Sequence, residues 1–277
     1  MSPPSSPATR RMRRREAPET PGASPPPAPV PLGFGMPGQY TNRSGPMFAV
    51  RESRAVSGRR RRGFFVTFEG IEGSGKSTQV ARLAGKLRAL RVPHLTTREP
   101  GGTAIGASLR GVLLGWPGRL DPAAELLLLF ADRKQDLAER IEPALAAGRV
   151  VLCDRYTDAS RAYQGAGRGL GEAAVDALHE RFCRREPDVT YLFDCPVETA
   201  LGRVARRGRG TKDRFEREAF TFHRRVRAAY RRRARREPRR FVVLDARGSA
   251  DEVFAGLWAD FARRLMARGF LPRGASR

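Results

Sequence analysis

The chain has 277 residues, 40% of them hydrophobic, enough to bury a full single-domain core. Its longest largely apolar run, Ala123 to Ala131, is far short of the roughly 20 residues a helical membrane span needs. Three scattered cysteines, Cys153, Cys183 and Cys195, support neither a disulfide framework nor a zinc site, whereas a net charge of +24 points to anionic partners: nucleic acid, a membrane surface or small phosphorylated ligands.

Residues 1–62 carry twelve arginines against three glutamates around a Pro-rich stretch. No apolar period there could offset chain entropy, so a disordered Pro- and Arg-rich extension is expected. Its prolines deny it the amphipathic helix of a transit signal, and a translation start at Met36 or Met47 is expected in place of Met1. Residues 63–268 are expected to form one domain, with 269–277 as a flexible tail. Within the domain, Phe64 to Phe68 reads as a strand, followed by a glycine loop and an amphipathic helix from Lys76 to about Leu90. His94 to Thr97 is a short strand, and a helix follows Ala104. Asp121 caps a longer helix with Pro122 at its first position. Arg149 to Asp154 and Asp188 to Asp194 are apolar runs of buried-strand length, separated by a helix around Ala173 to Arg184. Two further helices, a strand from Arg240 to Ala246 and a closing helix complete the order. Strand and helix alternate throughout, which predicts an α/β fold: a parallel sheet covered by helices on both faces.

Gly70-Ile71-Glu72-Gly73-Ser74-Gly75-Lys76-Ser77 matches GxxxxGK[ST] at every fixed position, after a strand and opening a helix. In such a loop successive backbone N–H groups turn toward phosphate oxygens, and the helix N-terminus adds a favourable field. The loop, through Thr78, is the expected ATP site; Lys76 would reach the β- and γ-phosphates and Ser77 would ligate magnesium. A guanine-specifying NKxD motif is absent from the sequence. Two more motifs fall where ligands bind in open parallel sheets, at the carboxyl ends of strands. Arg98 opens Arg98-Glu99-Pro100-Gly101-Gly102-Thr103, and Asp154-Arg155-Tyr156 closes a buried strand. A planar guanidinium holds two phosphate oxygens at once, which suits Arg98 and Arg155 to gripping an acceptor phosphate.

Together these motifs, the Ser160/Tyr163-Gln164-Gly165/Gly167-Arg168-Gly169 run and the basic segment 206–216 resemble the bacterial type of thymidylate kinase, in its order and approximate spacing, from Phe64 to Leu265. The resemblance implies a P-loop NTPase fold of the nucleoside-monophosphate-kinase type, with five parallel strands. It implies transfer of the γ-phosphate of ATP to dTMP, giving dTDP for dTTP synthesis, with Mg2+, in a cytoplasmic homodimer. Another nucleotide or deoxynucleoside kinase of related fold, or a nucleic-acid-binding P-loop protein, is the alternative. No aromatic RNA-binding signature or recognition helix accompanies the charge, so nucleic acid is not the expected partner.

Carried onto this sequence, the resemblance makes Lys76, Arg155 and one of the lid arginines Arg207, Arg209 and Arg214 catalytic, with the lid at about 206–216. Asp154 would support the magnesium with Ser77. Arg133 would read the thymine. The family's stacking aromatic falls four positions before that arginine, where this chain has Leu129 beside Phe130, so either side chain could face the base. Ser160, Tyr163 and Gln164 would line the nucleoside, with Tyr163 crowding the sugar 2′ position. Glu72 is expected near the sugar 3′-hydroxyl, and Glu69 in a structural or water-mediated metal role. Relatives with an arginine in place of Gly73 reach the γ-phosphate from the loop; this chain would reach it from the lid.

Overall fold

The computed structural model describes residues 61–207, 214–215 and 218–272. Five strands form one sheet in the order β2-β3-β1-β4-β5, every neighbouring pair parallel. The strands are β1 (Phe64–Glu69), β2 (His94–Arg98), β3 (Val150–Asp154), β4 (Val189–Asp194) and β5 (Phe241–Asp245). Every residue of β1 is buried, as a central strand covered on both faces requires. Its side chains alternate: Phe64, Val66 and Phe68 join the larger apolar cluster, while Phe65 packs on the opposite side with Val151, Leu137 and Ile141. Thr67 also turns to that second side, where its hydroxyl meets that of Thr190 at 2.8 Å.

Between β1 and β2 runs α1 (Lys76–Ala89), whose Val80, Leu83 and Leu87 enter the larger cluster beside Val253, Leu257 and Phe261 of α9 (Ala250–Ala267). The α9 start is set locally: the Ser249 hydroxyl accepts from the Glu252 N–H and the Glu252 carboxylate accepts from the Ser249 N–H. After β2 come α2 (Ala104–Gly115) and α3 (Pro122–Asp136). Asp121 caps α3 by accepting from the N–H groups of Ala123 and Ala124, as the Asp-Pro pair predicts. The helix runs on through a π-helical stretch (Leu137–Ile141) into α4 (Glu142–Ala146). Beyond β3, α5 (Thr157–Ser160) passes directly into a second π-helical stretch (Arg161–Gly167), and α6 (Glu172–Leu178) ends in a third (His179–Cys183). Finally α7 (Val197–Arg207) and α8 (Phe220–Arg236) lie between β4 and β5.

Two boundaries move. The tail expected from residue 269 begins later, because Phe270 and Leu271 are buried and Phe270 packs its ring 6.5 Å from that of Phe64. Arg61, expected within the extension, lays its guanidinium 4.8 Å from the Phe270 ring. The rest of the extension, residues 1–60, and the end of the tail, 273–277, lie outside the described residues.

The strand order places the site. Adjacent strands β1 and β3 leave their carboxyl ends in opposite directions, β1 toward β2 and β3 toward β4, and a crevice opens between them. The register sets Asp154 opposite Phe68 on one side and Arg98 on the other, so the ends of three strands and the glycine loop meet there.

Candidate active site

A cavity of about 540 Å³ opens at this crevice, running from Glu72, Lys76 and Ser77 of the glycine loop to Leu129, Arg133 and Gln164. Gly73 and Gly75 take left-handed backbone angles, φ +77° and +90°, that let the loop curl into α1. At Gly73 there is also no room for a side chain, since an added Cβ would run into the Ala200 carbonyl and press on Val204 of α7. The buried Lys76 ammonium spans the loop and donates to the carbonyls of Gly70 and Ile71 at 2.8 and 2.9 Å. Burial pulls its pKa down to about 8, with neighbouring Arg155 adding to the fall. Ser77 lies at the open end of the loop and donates to Asp154 Oδ2 at 2.6 Å; Thr78 beside it is exposed.

Arg155 is held in a strained backbone, φ +72°, which costs a non-glycine residue on the order of 1–3 kcal/mol. That conformation aims its guanidinium across the crevice. Nη2 donates to Glu72 Oε1 at 2.6 Å and to the Tyr163 hydroxyl at 3.2 Å, and Nη1 lies 3.5 Å from the Tyr230 hydroxyl. Tyr163 in turn donates to Glu72 Oε2 at 2.5 Å. Burial would raise the Glu72 carboxyl, but Arg155 and Lys76 outweigh it and hold the group below its ordinary range. Buried His223 approaches the same carboxylate, Nδ1 to Oε2 3.7 Å. Arg98, by contrast, ends β2 exposed on the cavity wall.

Glu69 stands one layer down, fully buried. Its Oε1 accepts from the Tyr156 N–H at 2.8 Å and its Oε2 from the Tyr230 hydroxyl at 2.7 Å. It therefore ties the ends of β1 and β3 to α8, which gives its structural role a concrete form. Burial, with Asp158 adding to it, pushes this carboxyl up to about 7.

At the other end of the cavity, α3 turns an unusual stripe inward: Glu125, Leu129, Asp132, Arg133 and Asp136 are all buried. Arg133 is 1% exposed and donates from Nε to Glu99 Oε2 at 2.7 Å and from Nη2 to the Ser160 hydroxyl at 3.1 Å; its Nη1 has no partner. Burial opposes its charge, but the Glu99 carboxylate prevails and raises the guanidinium pKa. Of the two candidates for the base wall, Leu129 lines the cavity. Phe130 turns away into a small cluster with Leu126 and Val175, under the Arg133 guanidinium at 4.6 Å. Gln164, four residues beyond Ser160, donates from Nε2 to Glu125 Oε1 at 2.6 Å.

Of the three arginines expected in the lid, Arg214 is engaged with α2 and α3. It donates to the Leu113 carbonyl at 3.2 Å and forms a close ion pair with Glu125, a fully buried carboxylate that needs a cation. Its neighbour Phe215 packs edge-on against Tyr163 at 5.8 Å and closes part of the cavity wall. Arg209 and the Arg207 side chain lie outside the described residues. Glu99 and Phe215 lie within motifs read from the sequence but were given no role there, and Glu125 and Tyr230 lie outside every motif. For Glu125 the available signal was the charged residues recurring on the otherwise apolar face of α3.

A glycine loop between the central strand and a helix, facing clustered guanidiniums across the crevice of a parallel sheet, defines a P-loop phosphotransferase of the nucleoside-monophosphate-kinase kind. Residues 68–256 match the family model described as thymidylate kinase, and the chain belongs to that family. It is 50% identical to the thymidylate kinase of Trichlorobacter lovleyi over 188 residues, covering 66% of this chain and 89% of the relative. It is 50% identical to that of Chromobacterium violaceum over 216 residues, covering 76% and 98%. The crystal structure of thymidylate kinase from Ehrlichia chaffeensis matches with a TM-score of 0.61 at 29% identity, over 72% of this chain and 99% of the other.

Proposed function

We propose that the protein transfers the γ-phosphate of ATP to dTMP, giving dTDP. The observation that carries this reading is the single cavity joining the glycine loop to the buried Arg133 and Gln164. Donor phosphates and an acceptor base thus find their groups at opposite ends of one space. The acceptor oxygen of a phosphate monoester is already ionised near neutral pH, so no strong base is required, and catalysis reduces to aligning two anions and neutralising their charge.

In this reading the loop N–H groups and Lys76 hold the ATP phosphates, and Lys76 exchanges the Gly70 and Ile71 carbonyls for phosphate oxygens. Arg155, already aimed across the crevice, steadies the acceptor phosphate, with Arg98 beside it on the cavity wall. The Glu72 carboxylate accepts from the sugar 3′-hydroxyl, and Tyr163 crowds the 2′ position, disfavouring ribonucleotides. Leu129, Ser160 and Gln164 line the nucleoside, and Arg133 meets the base. A lid arginine, Arg207 or Arg209, completes the cation set; Arg214 is engaged elsewhere.

The Ser77 hydroxyl and the Asp154 carboxylate, 2.6 Å apart at the mouth of the loop, are hard oxygen donors of the kind Mg2+ prefers. They would hold it there; when bound it neutralises charge on the phosphate oxygens. A cytoplasmic homodimer is part of the proposal. It is supported by three free cysteines and by exposed apolar side chains on the packed pair α2 and α3, namely Ile105, Val112 and Leu127, that a second copy would cover. No helix among the described residues is long and apolar enough to cross a membrane.

An ADP-coupled assay with dTMP, dUMP, thymidine and UMP as acceptors tests the function. Turnover should be highest with dTMP, lower with dUMP by the roughly 10- to 200-fold that one methyl group supplies, and negligible with UMP. A preference for thymidine would reverse the reading.

A further inference from the structure

Glu125 has no motif to recommend it, yet it is fully buried on α3 and gathers three donors from two other parts of the chain. Its Oε1 accepts from Gln164 Nε2 at 2.6 Å and from Arg168 Nε at 3.4 Å, and its Oε2 pairs with Arg214. We propose that Glu125 is a positioning residue that fixes the orientation of the Gln164 amide, and through it the pyrimidine the cavity accepts. This rests on the dTMP reading given above.

A carboxylate accepts hydrogen bonds and never donates them, so only the amide nitrogen of Gln164 can face Glu125. With that nitrogen engaged, the carbonyl oxygen is the group Gln164 offers to the cavity it lines. Ser160 and Gln164 stand four residues apart on one continuous helical stretch, hence on one side of it. Ser160 holds Arg133, whose Nη1 is a buried donor without a partner. The cavity therefore presents a donor and an acceptor from neighbouring side chains. Thymine and uracil carry the complement on one edge, a carbonyl beside a ring N–H. Cytosine carries the reverse, an amino group beside an unprotonated ring nitrogen, and would set donor against donor and acceptor against acceptor. Were the Gln164 amide free to rotate, it could serve either base; the carboxylate removes that freedom. Because Arg214 clamps the other oxygen of the same carboxylate, the chain leaving the lid helps to hold the base reader in place.

The test compares kcat/KM for dTMP and dCMP, with the KM for ATP as a control, in the full-length protein and in Glu125→Gln. A glutamine at 125 keeps the size but can donate as well as accept, which frees the Gln164 amide to take either orientation. The dTMP-to-dCMP ratio should fall roughly 10- to 100-fold, the scale of one mispaired buried hydrogen bond, with the KM for ATP within about twofold of the parent. An equal loss on both acceptors, or an unchanged ratio, overturns the positioning role. Gln164→Met, close in size and lacking the amide, should lower the ratio by a similar factor; an unchanged ratio there overturns the proposal even if Glu125→Gln fails to fold. A parent enzyme inert toward dTMP but active on another acceptor would overturn the functional reading and this proposal with it, whereas an active parent with unmoved ratios overturns the positioning role alone.

Discussion

At the phosphate end of the cavity, Lys76 rests on loop carbonyls and Arg155 on one partly accessible carboxylate and tyrosine hydroxyls. At the base end, Arg133 and Gln164 are tied to Glu99 and Glu125, carboxylates that solvent does not reach. In the proposed reading, the difference follows from what each end binds. A phosphate chain brings its own charge, so the cations that meet it need partners they can exchange. A pyrimidine is neutral, and an uncompensated buried ion beside it would cost several kcal/mol. Arg133 and Glu125 are therefore each matched by an opposite charge within the fold, leaving single donors and acceptors to face the base in this reading.

This contrast can be broken at either end. The largest effect is expected from Arg155→Ala: turnover falls by roughly 10³-fold or more while circular dichroism and thermal midpoint stay near the parent values, since its charge serves the ligand more than the fold. Near-normal turnover would remove Arg155 from the chemistry. Arg133→Met should act the other way round, lowering stability by about 3–5 kcal/mol in urea unfolding because Glu99 is left buried without its cation. Adding Glu99→Gln should recover part of that loss, and additive losses would show that the pair is not coupled.

Glu69 sharpens the comparison beneath the phosphate end. A carboxyl with a raised folded pKa binds its proton more tightly in the folded chain, so its contribution is most favourable below the unfolded value near 4.5. Stability then falls as pH rises to about 7 and levels off above it. Glu69→Gln should flatten that interval by on the order of 3 kcal/mol, read from urea unfolding between pH 4.5 and 8; an unchanged slope would place the titration elsewhere. The smallest change concerns Leu129→Phe, which gives the base wall an aromatic ring. A stacked ring is worth about 0.5–1.5 kcal/mol, so the KM for dTMP should drop by no more than about tenfold with the KM for ATP unmoved. No change at all would mean that residue 129 does not touch the base.

The same contrast explains what could be read from sequence. The glycine loop, the Asp154-Arg155 strand end and the sheet architecture were legible because they rest on backbone geometry and on contiguous patterns. The choice between Leu129 and Phe130 was not, since two adjacent apolar residues on one helix differ only by about 100° of rotation, and tertiary packing decides which faces the cavity. Glu125 was hidden for a related reason. Its partners Gln164 and Arg214 lie 39 and 89 positions away, and no local spacing announces the contact. The pairing of Arg214 with Glu125 was hidden too, because a basic lid pattern carries no information about which of its arginines meets a buried carboxylate.

Gly73 bears on how such a site can change over generations. The position where relatives carry a loop arginine is here sealed by the Ala200 carbonyl and by a backbone angle that disfavours any side chain. If the catalytic cation comes from the lid, as proposed, moving it to the loop has no single-step route: helix α7 would have to withdraw first, before the new arginine conferred any benefit. The order in which such mutations could be accepted is constrained by one carbonyl oxygen.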